Sequence, residues 1–184
     1  PPTPGRHPQH LWQQNTLRDA LVAAATLDIF NRHADKIIMG NIAQTINVLQ
    51  AMILTDGPRM LTTPTYHVYD MYQSHQGGQS VRASFEADDI AFTSDGKEQR
   101  IFGLNGSASL KDGVLTLSVV NPHASQPVEA SIQLRGGAMP GTASVTTLAS
   151  SDLHAHNTFE QPDALAPETR AVRLNGDRWT YAFP

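Results

Sequence analysis

Residues 36–50 read KIIMGNIAQTINVLQ, and a change of character within this stretch decides the fold class. The apolar run within Lys36–Ile42 does not alternate with polar residues, which is typical of a strand covered on both faces and therefore of a parallel sheet. Asn41 and Gln44 lie at or just past the end of this predicted strand. Because ligands of α/β sheets and barrels bind at the carboxyl ends of the strands, both amides are candidates for contact with a polar ligand.

The residue pattern leaves two interpretations of Gln44 open. A neutral amide can both donate hydrogen bonds to sugar hydroxyls and accept them, which favours a role in ligand binding. The same amide can instead satisfy backbone groups where the strand ends. The loop that follows, from Ala43 to about Thr63, is long for a compact domain, and long loops are usually lids or binding loops.

Two predicted helices flank this strand. Thr16 as N-cap and Asp19 as its acidic partner have the spacing of a capping box, and small or apolar residues then recur at helical spacing. These residues are Ala20, Ala23, Ala24, Leu27 and Phe30. The second helix starts at Thr63-Pro64, because proline suits the first helical position, and runs to about His75. Helix, buried strand and helix form one piece of an α/β architecture, and the other strands of a parallel sheet must come from elsewhere.

The pattern changes after Gly77-Gly78. Apolar residues now alternate with polar ones in several short runs, and Asp112-Gly113 lies between two of them as a hairpin signal. The alternating residues include Val81, Ala83 and Phe85, then Leu115, Leu117 and Val119, then Val128, Ala130, Ile132 and Leu134, and finally Trp179, Tyr181 and Phe183. Such short strands predict an antiparallel β-sandwich or barrel. We therefore predict two domains, residues 1–78 and 79–184.

Composition excludes several classes of function. The 184 residues carry 13 basic and 17 acidic side chains, a net charge of −4, without a basic block, so nucleic acid is not an expected partner. No apolar run approaches the roughly 18 residues of a membrane span. The absence of cysteine excludes disulfides and thiolate metal sites. His154 and His156 form the closest histidine pair, but no third ligand has convincing spacing, so we expect neither a metal nor a cofactor.

Three stretches together resemble the α-L-arabinofuranosidases of glycoside hydrolase family 51. LWQQNTLRDALVAAATLDIFNRHADKIIMGNIAQTINVLQAMILTDG and MLTTPTYHVYDMYQSHQ are similar to the end of that family's catalytic barrel, and LHAHNTFEQPDALAP is similar to part of its β-sandwich. The resemblance implies that residues 1–78 supply the last helix–strand–helix of a (β/α)8 TIM barrel. Residues 79–184 would then form an all-β antiparallel jelly-roll-like sandwich.

The resemblance also implies an activity and a role for Gln44. Such enzymes are retaining hydrolases that release terminal arabinofuranosyl groups from arabinan, arabinoxylan or arabino-oligosaccharides, with two glutamates and no metal. Those glutamates lie in Asn-Glu and Asp-Glu-Trp motifs that this chain lacks, so the catalytic residues are expected upstream and the chain alone is expected to be inactive. Gln44 matches a glutamine that binds the arabinose.

The expected partners are the remaining barrel segment of the same enzyme, the arabinofuranosyl substrate and further copies in a cytoplasmic homo-oligomer. The alternative is a non-catalytic fragment whose sandwich is a scaffold or a carbohydrate-binding module.

Overall fold

The computed structural model describes residues 14–43, 45–138, 141–174 and 178–184. Within these ranges the chain forms two α-helices, a short 3-10 helix and eleven strands. The helices are α1 (Leu17–Arg32) and α2 (Pro64–Tyr72), and the 3-10 turn is Gln73–His75. The strands are β1 (Ile53–Asp56), β2 (Arg59–Thr62), β3 (Gln79–Val81), β4 (Ile90–Ser94), β5 (Lys97–Ile101), β6 (Asn105–Lys111), β7 (Val114–Val120), β8 (Val128–Gln133), β9 (Thr142–Thr147), β10 (Glu168–Arg173) and β11 (Arg178–Phe183).

Both predicted helices are confirmed, with the predicted start signals. The Thr16 backbone N–H donates to the Asp19 carboxylate over 2.8 Å, which closes the capping box of α1. Thr63 is the N-cap of α2 and Pro64 its first residue. Gly77, at φ +72°, follows the 3-10 turn in the left-handed conformation that glycine adopts easily. Neither α1 nor α2 is long and apolar enough to cross a membrane.

The strand predicted over Lys36–Ile42 is not formed within the described residues. Residues 37–42 are irregular, and Ile38 and Met39 are 94% and 71% exposed. The reason is that a parallel strand needs neighbours for its backbone hydrogen bonds, and the described part of the chain places none beside this segment.

The predicted long loop contains a hairpin that the sequence analysis missed. Strands β1 and β2 pair antiparallel, from Ile53 with Thr62 to Asp56 with Arg59. Gly57 turns the chain between them at φ +56°. The Asp56-Gly57 dipeptide is the signal that could have revealed this hairpin.

The remaining strands are antiparallel, as predicted. β3, β6 and β7 form one sheet, while β4 pairs with β5, β8 with β11 and β9 with β10. Asp112 and Gly113 join β6 to β7 with φ values of +50° and +79°. This confirms the predicted hairpin, because positive φ at both central residues is the requirement of a type I′ turn.

Helix α1 packs across β6 and β7, and Gly106 allows these two strands to approach each other closely. An added Cβ at Gly106 would stand 1.9 Å from the Ser118 carbonyl oxygen, so only glycine fits there. The core beside this contact joins apolar side chains of both helices to the β region. It contains Leu17, Ala20, Ala24, Val68, Val120 and Leu165. Of the predicted apolar stripe, Ala20 and Ala24 therefore face this core.

A buried polar cluster fixes the same contact. The Asp28 carboxylate is fully buried and accepts hydrogen bonds from the hydroxyls of Ser107 (2.7 Å) and Ser118 (2.5 Å). His75 Nδ1 lies 2.8 Å from the Ser109 hydroxyl. Burial lowers the pKa of His75 below 6.5, against the opposing effect of the Asp28 charge. The polar pairs fix how the helices sit on the sheet, because buried polar groups need specific partners.

Candidate substrate-binding face

The starts of α1 and α2 meet at one end of the helix pair. The Asn15 amide donates to the Ala51 carbonyl over 3.4 Å, and the Thr65 hydroxyl donates to Asn15 Oδ1 over 2.9 Å. The Thr63 hydroxyl also donates to the Ala51 carbonyl, over 2.9 Å. We call this end, formed by residues 15–19, 41–43, 45–51 and 62–65, the helix-start face. This end is the candidate site, because residues 41–43 and 45–51 flank the predicted binding residue in the sequence.

The predicted binding residue Gln44 lies outside the described residues, whereas the three residues before it are described. Asn41, Ile42 and Ala43 border an open groove of about 360 Å³ on the outer side of the helix pair. Its other lining residues are Ala23, Thr26, Leu27, Phe30, Gln50 and Tyr69. The groove therefore brings residues of the predicted stripe on α1 next to the segment that leads to Gln44.

Gly40 brings the backbone of this segment close to α1. A Cβ at Gly40 would lie 2.7 Å from Phe30 Cδ2, closer than real Cβ atoms approach. The absence of a side chain therefore sets the distance between the segment and the helix.

A second amide, Gln50, was not foreseen from the sequence. Its Nε2 donates to Asp19 Oδ1 over 3.1 Å, and its backbone has φ +60°, an uncommon conformation for a residue other than glycine. Burial alone would raise the pKa of Asp19, but hydrogen bonds from the Thr16 backbone, Gln50 and the Thr16 hydroxyl outweigh it. The net pKa of Asp19 therefore lies below its ordinary value of 3.8, and its carboxylate is charged at neutral pH.

The β1–β2 hairpin is hydrogen-bonded at its base to Thr45 and Asn47. The Ile53 N–H donates to the Thr45 carbonyl over 3.0 Å, and the Asn47 N–H donates to the Ile53 carbonyl over 3.1 Å. The Asn47 side chain also donates to the Thr55 hydroxyl and accepts from the Thr55 N–H, both over 2.8 Å. These bonds attach the base of the hairpin to residues 45–47.

Residues 152–165, which we call the bridging loop, come from the β region and cover the start of α1. The Leu17 N–H donates to the Ala155 carbonyl over 2.9 Å, and the Arg18 N–H donates to the Leu153 carbonyl over 3.1 Å. The first N–H groups of a helix have no partner within the helix. The bridging loop supplies two of the missing acceptors.

Asn157 ties the bridging loop to the end of β2. The Asn157 amide, 2% exposed, donates to the carbonyls of Thr62 (2.9 Å) and Leu165 (3.0 Å). Its Oδ1 accepts from the Leu165 N–H over 2.7 Å. All of the polar atoms of this side chain are thus engaged, and the residue joins both ends of the bridging loop to the end of β2.

Arg59 makes the outermost contact between the hairpin and the bridging loop. Its guanidinium lies 4.6 Å from the centre of the Phe159 ring and 3.4 Å from the Glu160 carboxylate. It also pairs with Asp56 within the hairpin. We call Arg59, Phe159 and Glu160 the clamp.

The chemistry of this face is that of binding and orientation. The carboxylates of Asp19, Asp56 and Glu160 each take part in hydrogen bonds or ion pairs with neighbouring side chains. Burial lowers the pKa of His67 below 6.5, although Asp70 and Asp163 oppose this. Across the described ranges, no group of three or more His, Asp or Glu side chains is arranged to hold a metal ion.

Comparisons with known proteins assign this arrangement to a family. Residues 2–184 match the family model described as the α-L-arabinofuranosidase C-terminal domain. The chain is 38% identical over 182 residues to an intracellular exo-α-L-arabinofuranosidase of Bacteroides ovatus. That alignment covers 98% of this chain and 35% of the relative, so the chain spans about a third of the relative's length.

Solved structures give the same result. The GH51 arabinofuranosidase of Xanthomonas axonopodis pv. citri superimposes with a TM-score of 0.88 at 38% identity, covering 100% of this chain and 36% of that one. An α-L-arabinofuranosidase of Thermotoga maritima, solved as an arabinose complex, superimposes with a TM-score of 0.82 at 22% identity over 97% of this chain and 38% of that one. At this lower identity the likeness shows the fold alone.

Proposed function

The chain belongs to the α-L-arabinofuranosidase C-terminal domain family, and on this premise we propose that it is the carboxy-terminal part of a retaining glycoside hydrolase. The whole protein would release terminal α-L-arabinofuranosyl groups from arabinan, arabinoxylan or arabino-oligosaccharides. The single observation that carries this proposal is the family match over residues 2–184. The helix-start face, which presents the segment around Gln44, agrees with it.

The exposed apolar residues before Gln44 in the sequence support the proposal that an upstream part of the protein covers this segment. Ile38 and Met39 are adjacent, so in an extended strand their side chains point to opposite faces. Both are apolar and strongly exposed here. In a (β/α)8 barrel one face of each strand packs into the side-chain-filled interior and the other against the helices, so the preceding part of such a barrel would cover both. Residues 1–78 would then complete that barrel, and residues 79–184 would form its jelly-roll-like sandwich.

Catalysis and substrate binding would come from different parts of the whole protein, because this chain lacks the two glutamate motifs. The acid/base and the nucleophile would be two glutamates of the upstream segment, about 5–5.5 Å apart as retention requires. Gln44 would hydrogen-bond the arabinofuranosyl group and orient it without transferring a proton. No catalytic residue is assigned to this chain, and Gln44 is assigned to substrate binding.

Location and assembly are also part of the proposal. The Bacteroides ovatus relative is named as intracellular, and we extend that location to the whole protein. We also propose that the whole protein forms a homo-oligomer, as the family resemblance implies.

The experiment is hydrolysis of nitrophenyl α-L-arabinofuranoside by the full-length protein and by residues 1–184 alone. We expect turnover with the first and none with the second. Gln44→Ala in the full-length protein should lower kcat/KM by the equivalent of about 1–3 kcal/mol. An inactive full-length protein would favour the alternative, a scaffold or carbohydrate-binding module, which the missing Asn-Glu and Asp-Glu-Trp motifs keep open.

A further inference from the structure

We propose that the β1–β2 hairpin and the bridging loop form the leaving-group side of the substrate cleft, with Arg59 as a specificity-determining residue. The β region would then help to distinguish long substrates from small ones. This inference rests on the proposed function and adds a part of the chain that the sequence analysis did not connect with the substrate.

Position is the first argument. The hairpin is hydrogen-bonded to Thr45 and Asn47, on the carboxyl side of Gln44. Four residues in each strand reach about 13 Å from this root. An enzyme that removes a terminal sugar holds that sugar at the base of its site, with the leaving group towards the mouth. The hairpin is bonded directly to the segment that follows Gln44 in the sequence, so in the proposed site it would lie on the leaving-group side.

Chemistry is the second argument. Met60 is 64% exposed on the hairpin, and Phe159 is partly exposed beside Arg59 at the hairpin's turn end. Arg59 and Glu160 add a charged donor group and an acceptor beside them. Apolar surface next to charged hydrogen-bonding groups suits a sugar chain, which presents C–H faces and hydroxyls together.

The clamp is better suited to orientation than to stability. The side chains of Arg59 and Glu160 are 49% and 76% exposed. Exposed ion pairs contribute little to the stability of the fold. Yet the pair joins residues 101 positions apart in the sequence and places the Phe159 ring under the guanidinium. Removing Arg59 should therefore alter the cleft without unfolding the protein.

The experiment measures kcat/KM of the full-length enzyme on two substrates, nitrophenyl α-L-arabinofuranoside and an arabinoxylan oligosaccharide. Arg59→Met should lower the value for the oligosaccharide about fivefold and that for the nitrophenyl substrate less than twofold. Glu160→Gln should change the ratio in the same direction by a smaller factor. The matched control is Arg100→Met, which removes an equally exposed ion pair, Arg100–Glu98 at 3.0 Å, from the β4–β5 hairpin.

Each outcome has a defined meaning. A selective loss on the oligosaccharide in Arg59→Met, with the Arg100→Met ratio unchanged, supports the inference. Parallel losses on both substrates, no loss on either, or the same ratio change in the control would overturn it. A wild-type enzyme that is inactive on the nitrophenyl substrate would instead refute the proposed function, so the two failures can be distinguished.

Discussion

Asn157 provides the sharpest test of how the bridging loop is held. Asn157→Asp keeps the shape of the side chain and the oxygen that accepts from the Leu165 N–H. It replaces the amide NH2 by an oxygen facing the carbonyls of Thr62 and Leu165, now 2.9 and 3.0 Å from an atom that repels them. The substitution therefore removes two donated hydrogen bonds and adds a charge at a site that is 2% exposed.

The expected cost can be estimated from these contacts. A buried carbonyl that loses its partner costs about 1–3 kcal/mol, and burying a charge beside it adds to the loss. Because other groups can relax around the two carbonyls, we expect the free energy of unfolding to fall by about 2–4 kcal/mol. Gln161→Glu is the matched control, since it makes the same amide-to-carboxylate change at an exposed position of the same loop and should cost less than about 0.5 kcal/mol.

The assay is equilibrium urea denaturation of the full-length protein at pH 7, followed by tryptophan fluorescence. The midpoint should fall for Asn157→Asp at an unchanged slope against urea. If the two variants differ by less than about 0.5 kcal/mol, Asn157 does not hold the bridging loop as inferred.

Three further changes test other contacts by thermal or urea denaturation. Gly106→Ala should destabilise by about 1–3 kcal/mol, because its Cβ would stand 1.9 Å from the Ser118 carbonyl oxygen; wild-type stability would contradict this close approach. Thr63→Val, which removes a buried hydroxyl donor to Ala51, should cost about 1 kcal/mol, and a stabilised variant would argue against that bond. Because burial lowers the pKa of His75, its contribution to stability is complete above pH 6.5 and is lost as the pH falls from there through the lower folded-state pKa. His75→Gln should flatten that part of the stability profile against pH, and an unchanged slope would count against the effect.

Local signals in the sequence were enough for elements that are determined by their own residues. The capping pair Thr16 and Asp19, the proline at the start of α2 and the Asp112-Gly113 turn each act within a few residues, and each is confirmed. The predicted strand over Lys36–Ile42 has a different origin. Its apolar pattern is that of a strand with neighbouring strands and covering helices. The described residues place no such neighbours beside this segment, so it does not form a strand here.

The contacts of the helix-start face could not be predicted for the same physical reason. The Asn157 side chain binds the Thr62 carbonyl 95 positions away, and Arg59 meets Glu160 across 101 positions. No spacing rule connects residues at such distances. LHAHNTFEQPDALAP resembles a characteristic stretch of the family, but nothing in its own sequence places its residues beside the hairpin. The assignment of Gln44 remains a prediction, because that residue lies outside the described ranges.

The hydrogen bonds that the Leu153 and Ala155 carbonyls accept from α1 limit how residues 79–184 can be exchanged between related proteins. They complete the first turn of α1, so a chimaera joined at the predicted boundary, between residues 78 and 79, exchanges the sandwich and also half of a helix cap. A donor sandwich whose bridging loop differs in length would leave those N–H groups unbonded at the helix-start face. We therefore expect residues 79–184 to be exchangeable between relatives only together with a bridging loop that fits the first helix of the recipient. The bridging loop, more than residues 78–79, then limits where such a chimaera can be joined.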